Sequence, residues 1–159
     1  MRWIIVNNVK VLVTGAGGFI GHHLVNYLVE RGYWVRGVDL KRPEYAATRA
    51  HEFMLLDLRR WESAQMAMQG IDEVYLLAAN MGGIGFIETY RADIVRDNTL
   101  ISTHVLEAAR TMGAQRLFYS SSACVYPQYL QNTPDVTPLK EDDAYPADPE
   151  DGYGWEKLY

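Results

Sequence analysis

The chain has 159 residues, 48% of them hydrophobic, a formal net charge of -5 and one cysteine. That length and apolar content suit one folded domain with a real core. A lone cysteine excludes a disulfide framework and fits the reducing cytoplasm. No apolar run approaches the roughly 18 residues of a membrane span, and no basic stripe offers itself to nucleic acid.

Residues 1–9 read as an N-terminal extension. They carry one arginine, a very short apolar stretch and no small-residue cleavage site, so they do not read as a signal peptide. Strand and helix patterns then alternate. Short apolar runs predict strands at 10–14, 34–39, 52–56, 73–78 and 116–121, of the kind covered on both faces in a parallel sheet. Helical patterns fall at 18–31, in a short turn near 44–49, at 60–69, at 89–112 and from about 152 onward. In the helix 89–112, Ile94, Ile101, Val105, Ala108, Ala109 and Met112 form an apolar stripe that reads as core. Gly32, Gly70 and Gly113 each stand where a helix must stop before a strand. The alternation predicts an α/β fold, a Rossmann-type doubly wound parallel sheet. The proline-bearing stretch 127–151 is long and irregular, as loops on a ligand side are. Acids outnumber bases from Asp135 onward, which reads as a solvated surface.

The first strand breaks into Thr14-Gly15-Ala16-Gly17-Gly18-Phe19-Ile20-Gly21. Glycines at 15, 18 and 21 suit a tight turn, a close approach of backbone to a pyrophosphate, and a helix packed against the strand. Asp39 ends the second strand, placed to accept hydrogen bonds from the ribose hydroxyls of NAD and to repel a 2′-phosphate. Lys41 and Arg42, just beyond it, work against that selectivity. Ligands of such sheets lie past the carboxyl ends of the strands. Three segments reach that edge: Ala78 to Gly83, Ser120 to Tyr126, and Tyr153 to Lys157. Tyr153 and Lys157 are four residues apart and share one helix face. A nearby ammonium, together with the positive nicotinamide, stabilises a phenolate, so the pair can act as a base on a hydroxyl. Ser122 can hydrogen-bond the same hydroxyl. His22, His23, His51 and His104 show no metal-ligand spacing with Cys124, and His22 and His23 read as helix surface.

Taken together, Gly-x-x-Gly-x-x-Gly, the serine run before Val125-Tyr126 and Tyr153-x-x-x-Lys157 resemble the extended short-chain dehydrogenase/reductases, the sugar-nucleotide epimerases and dehydratases. Leu77 to Ile87, Ser121 to Pro127 and Leu139 to Ala147 narrow the resemblance to the branch that epimerises GDP-mannose at C3 and C5. It runs from about Lys10 to Lys157.

The resemblance implies NAD as cofactor, a nucleotide-sugar substrate, and a homodimer for the whole enzyme. It implies cofactor contacts from Gly15, Gly18, Phe19, Ile20, Gly21, Asp39, Asp57, Leu58, Leu77, Ala78, Ala79, Asn98, Ser120, Tyr153 and Lys157. It implies sugar contacts from Met81, Gly82, Ser122 and Cys124, and no metal. The implied cycle has three stages: oxidation of the C4 hydroxyl by Tyr153 with NAD, proton exchange at C3 and C5 by Cys124 against a lysine on the other face, and re-reduction. A thiol suits the middle stage because its ordinary pKa, about 8.5, lies near neutrality. The plain reading of Cys124 is a small hydrophobe beside a strand.

Asn80 stands where the resemblance leads one to expect aspartate. Members of the family also continue well past the Tyr-x-x-x-Lys helix, so the expectation is a nucleotide-binding part that lacks the substrate domain and is inactive alone. Two other readings stay open: an NAD-binding module without catalysis, and part of a 4-epimerase or 4,6-dehydratase.

Overall fold

The computed structural model describes residues 9–131 and 138–158, the side chains of Ile84 and Glu88 apart. Nearly all of the expected N-terminal extension and part of the 127–151 loop therefore lie outside the described residues. The chain divides into two compact units, Met1–Ala79 with Leu100–Ser120, and Asn80–Thr99 with Ser121–Tyr159.

The first unit is built on five strands, β1 (Lys10–Thr14), β2 (Trp34–Asp39), β3 (Glu52–Leu55), β4 (Glu73–Leu76) and β5 (Arg116–Tyr119). They form one parallel sheet in the order β3-β2-β1-β4-β5. β1 lies in the middle, in register from Lys10 opposite Trp34 to Thr14 opposite Val38. Alternate residues of β1 face opposite layers, as the two-residue period of a strand requires. Leu12 joins Val38, Val74 and Leu76 in a core with Ala64, Ala67 and Met68 of α2 (Trp61–Met68). Ile101, Val105, Ala108 and Ala109 close this layer. Val11 and Val13 face the other way, into Val25 and Leu28 of α1 (Phe19–Glu30). This is the doubly wound sheet that the alternating pattern predicts. Gly32, Gly70 and Gly113 all have positive φ, as residues just past a helix end do.

Local departures from the sequence reading have physical reasons. No helix forms near 44–49: the chain bends at 44–46, and Glu44, Tyr45, Ala46 and Ala47 are exposed. A short helix with no face to bury is marginal in water. The helix expected at 89–112 forms as α4 (Arg91–Met112), and an unexpected short helix, α3 (Ile84–Thr89), precedes it, the two meeting at Tyr90. α3 was hidden by the glycines around it, which disfavour helix. Met112, the last residue of α4 and of the apolar stripe, is exposed. β5 is the outermost strand of the described sheet beside β4, and Phe118 on it is half exposed.

The second unit holds α3, the first part of α4, short 3₁₀ turns at Ala123–Val125, Gln128–Leu130 and Glu141–Ala144, and α5 (Gly152–Leu158). α5 packs against the Ala123–Val125 turn because Gly154 has no side chain. A Cβ there would lie 2.3 Å from the Cys124 carbonyl oxygen. Asp151 accepts the Gly154 N–H at 2.8 Å through Oδ1 and secures the first turn. Among the described residues no helix is long and apolar enough to cross a membrane.

Candidate functional site

β1 ends at Thr14, and the chain turns through Gly15 at φ 68°. The Gly18 N–H returns to the Gly15 carbonyl at 3.0 Å, and Ala16 N–H donates to Val38 O of β2 at 3.2 Å. At Gly21 a Cβ would stand 2.1 Å from the Gly15 oxygen, so only glycine lets α1 approach the turn this closely. α1 begins with no side-chain cap and no acid in its first turn. The N–H groups of that first turn are thus left to a ligand, the arrangement that suits a phosphate, and the nearby carboxylate of Asp39 bonds the Gly17 N–H just before the helix. Phe19 and Ile20 are exposed in that first turn. His22, expected on the surface, is buried, with Nε2 at 3.2 Å from the Asn26 amide, whereas His23 is exposed as expected.

Asp39 closes β2. Its Oδ2 accepts the Gly17 N–H at 2.9 Å and its Oδ1 the Lys41 N–H at 3.2 Å. Gly17 was not singled out in the sequence, yet a Cβ on it would lie 2.2 Å from the Lys41 carbonyl oxygen. Lys41 Nζ pairs with Glu44 at 2.6 Å, and the Arg42 guanidinium sits over the Phe53 ring.

Other expected positions are anchored by the fold. Asp57 accepts Arg59 Nε at 2.9 Å and Nη2 at 2.8 Å, which holds its carboxyl below the ordinary range. The Leu58 side chain is in the core, so only its main chain could face a ligand. Leu77 and Ala78 both donate their N–H groups to Thr14 Oγ1, at 3.1 and 3.0 Å, and this fixes the chain after β4 beside the glycine turn. Thr14 is a positioning residue that periodicity could not reveal. Ala79 follows, and Ser120, just after β5, donates its N–H to Leu76 O.

In the second unit, Ser122, Cys124, Tyr153 and Lys157 come together. Ser122 Oγ accepts the Cys124 N–H at 3.2 Å, and its side chain lies beside the Tyr153 hydroxyl, where it favours the phenolate. Cys124 is exposed. Ser121 Oγ donates to the Lys157 carbonyl at 3.0 Å and ties α5 to the serine run. Tyr153 and Lys157 are buried, with Lys157 Nζ at 5.8 Å from the phenol ring centre. Glu156, also buried and not foreseen, lies 3.5 Å from that ammonium. Burial raises the Tyr153 phenol above its ordinary value, against the hydrogen bond from Ser122. Burial also lowers the Lys157 ammonium, against the pull of Glu156. The lysine therefore does not by itself make the tyrosine a neutral-pH base. Met81 is half exposed, and Gly82 leaves room for the Phe86 ring. Asn98 is buried, and both ends of its amide bond the main chain of Asn80.

A parallel sheet in this order, with a glycine turn after its central strand and an acid closing the next, defines a Rossmann-type dinucleotide-binding protein. Residues 11–159 match the NAD dependent epimerase/dehydratase family, and the chain belongs to that family. It is 46% identical over 151 residues to GDP-mannose 3,5-epimerase 1 of Oryza sativa subsp. japonica, covering 94% of this chain and 40% of the rice protein. It is 45% identical to GDP-mannose 3,5-epimerase of Arabidopsis thaliana, covering 95% and 41%. The chain thus spans about two-fifths of the length of these curated relatives. Among solved structures it is similar to a UDP-glucose 4-epimerase with UDP-glucose from Thermotoga maritima, with TM-score 0.80, 27% identity, and coverage of 94% of this chain and 48% of that one. It is also similar to a short-chain dehydrogenase/reductase superfamily protein from Agrobacterium tumefaciens with bound NAD, with TM-score 0.77, 30% identity, and coverage of 94% and 42%.

Proposed function

We propose that this chain forms the NAD-holding and proton-transferring part of a sugar-nucleotide epimerase that acts at C3 and C5 of GDP-mannose. The observation that carries the proposal is the gathering around Ser122, whose Oγ accepts the Cys124 N–H and whose side chain lies close enough to the Tyr153 hydroxyl to favour its ionisation. That places a phenol and an exposed thiol around one serine, in a chain 46% identical to a GDP-mannose 3,5-epimerase.

The glycine turn fits a dinucleotide, because Gly15, Gly17 and Gly21 let the chain fold back tightly on itself, where a Cβ at each would strike protein atoms, and α1 then starts with no side-chain cap on its N–H groups. Gly15, Gly18, Phe19, Ile20 and Gly21 would hold the pyrophosphate, and Asp39 the adenosine ribose. Asp57, the Leu58 main chain, Leu77, Ala78, Ala79, Asn98 and Ser120 would line the rest. When bound, NAD supplies the acceptor and later the donor of the C4 hydride. Tyr153 takes the C4 hydroxyl proton, Ser122 steadies that hydroxyl, and the Lys157 ammonium favours the phenolate. Cys124 takes or returns the protons on C3 and C5, which the C4 ketone makes acidic, while a lysine from the remainder of the enzyme would serve the opposite face of the sugar. Met81 and Gly82 would contact the sugar. A homodimer of the whole enzyme belongs to the same proposal.

The test joins residues 1–158 of this chain to the remainder of the rice relative and follows deuterium into GDP-mannose in deuterated water with NAD. Deuterium at C3 and C5 that depends on Cys124 supports the proposal. Inversion at C4 without deuterium at C3 or C5 would assign the chain to a 4-epimerase instead.

A further inference from the structure

We propose that Asn80 and Asp97 form a matched amide–carboxylate latch that fixes the main chain of the loop carrying Met81 and Gly82, and that this latch tolerates one negative charge and no more. Asn80 Nδ2 donates to Asp97 Oδ2 at 3.2 Å. The other oxygen of Asp97 accepts Arg96 Nε and Nη2, at 2.9 and 2.8 Å. The next residue, Asn98, completes the grip. Its Oδ1 accepts the Asn80 N–H at 2.6 Å, and its Nδ2 donates to the Asn80 carbonyl at 3.3 Å. Asp97 is 4% exposed and Asn98 1%. Adjacent residues on α4 therefore hold both the side chain and the main chain of Asn80.

The chemistry requires the pair to be complementary. A carboxylate only accepts hydrogen bonds, so the atom of residue 80 that faces Asp97 must be a donor. An aspartate at 80, which the family resemblance leads one to expect, would set two carboxylates about 3.2 Å apart. Asp97 is buried and residue 80 partly so, and two such neighbours resist ionising together, so that one retains a proton to a higher pH than usual. An amide at 80 thus goes with an acid at 97, and the reverse pair would serve equally. Arg96 does not prevent the exchange, because it is 60% exposed and also reaches Asp93 at 3.1 Å. The role of the loop toward a sugar rests on the proposed function. The latch itself does not, and its test contains no sugar.

The test is hydrogen exchange of the residue-80 amide in the 159-residue chain, corrected for intrinsic rates, in wild type, Asn80→Asp and the double variant Asn80→Asp/Asp97→Asn. In Asn80→Asp the extra proton is held only below its raised pKa, so the latch is intact in acid and opens as pH rises through that value. Its protection should fall roughly tenfold or more at about pH 8 and recover at about pH 5. The double variant should regain wild-type protection at both pH values. Should Asn80→Asp fail to fold at the higher pH, the double variant still decides, by folding or failing to fold there. Wild-type protection in Asn80→Asp at the higher pH would overturn the proposal, as would a double variant no better protected than the single one. Loss of GDP-mannose exchange in the joined enzyme with the latch behaving as stated would count against the proposed function alone.

Discussion

The Gly17 main-chain N–H donates to Oδ2 of Asp39 at 2.9 Å, while the opposite oxygen of that acid receives the Lys41 N–H. The carboxylate is thereby held in one orientation at the end of β2, with acceptor capacity left over on both oxygens. The cations that could welcome a 2′-phosphate are engaged elsewhere, Lys41 with Glu44 and Arg42 over Phe53. NAD should therefore bind more tightly than NADP, by roughly ten- to a hundredfold, the worth of a hydrogen bond to a charged group. Calorimetry on this chain measures both, and Asp39→Ala should erase the difference. Equal affinities for the wild-type chain would remove Asp39 from the role of ribose acceptor.

Two glycines with left-handed backbone should respond differently to alanine. Gly15 and Gly113 have φ of 68° and 79°. Each should lose about 1–2 kcal/mol from the backbone conformation alone. Gly15 carries an added cost, since its Cβ would meet Ala78 N at 3.0 Å and Leu77 C at 3.1 Å, whereas nothing lies within 4 Å at Gly113. Gly15→Ala should thus lower the melting temperature more than Gly113→Ala, at about 2–4 °C per kcal/mol for a chain of this size. Equal shifts would show that the turn relaxes away from β4.

Much of this arrangement was legible because local chemistry dictates it. A buried strand running into Thr14-Gly15 needs a left-handed turn, and the helix-ending glycines at 32, 70 and 113 need the same backbone. Asp39 was legible by its place at the end of the second strand. What stayed hidden is pairing across distance. Thr14 holding Leu77 and Ala78, Gly17 bonding Asp39, and Asn98 gripping Asn80 leave no periodic mark. His22 was misjudged because its helix face could not be told from composition. Glu156 beside Lys157 was not foreseen, because only its burial gives it meaning.

Burial should be visible in the alkaline titration of Tyr153. Its phenol stands above the ordinary value of 10.0, chiefly through desolvation. An acid with a raised folded pKa contributes stability below its unfolded value and loses it as pH rises through the folded one. Lys157, depressed by desolvation, acts oppositely, contributing above 10.5 and losing that contribution as pH falls through its folded value. Tyr153→Phe should therefore remove part of the alkaline loss of stability and delete one late phenolate step from an ultraviolet titration. Adding NAD to the wild-type chain should move that step to lower pH, because a base at neutral pH needs more positive charge than Lys157 supplies. A phenol that titrates below 10 without NAD would contradict the effect of burial. One that NAD leaves in place would contradict the proposed role of Tyr153.

Cys124 is the single cysteine of the chain, and it is exposed. Iodoacetamide should therefore label the native chain once, without denaturant. Its main-chain N–H is fixed to Ser122 Oγ at 3.2 Å, and Gly154 lets α5 close on its carbonyl, so the thiol is carried on a tightly held turn. A buried structural cysteine would need neither exposure nor this anchoring. In the enzyme joined to the rice remainder, Cys124→Ala should cut deuterium entry at C3 and C5 by roughly a hundredfold or more, the usual share of a positioned acid or base. The proposed function gives oxidation at C4 to Tyr153, so on that proposal the variant should still convert NAD to NADH on mixing with GDP-mannose. It should stop there, with the ketone formed and the ring protons unexchanged. Cys124→Ser keeps the shape but not the acidity, since an alcohol ionises far less readily than a thiol, and should behave like the alanine variant. A serine variant that exchanges C3 and C5 protons at the wild-type rate would leave Cys124 with packing alone and would transfer the proton step to another group.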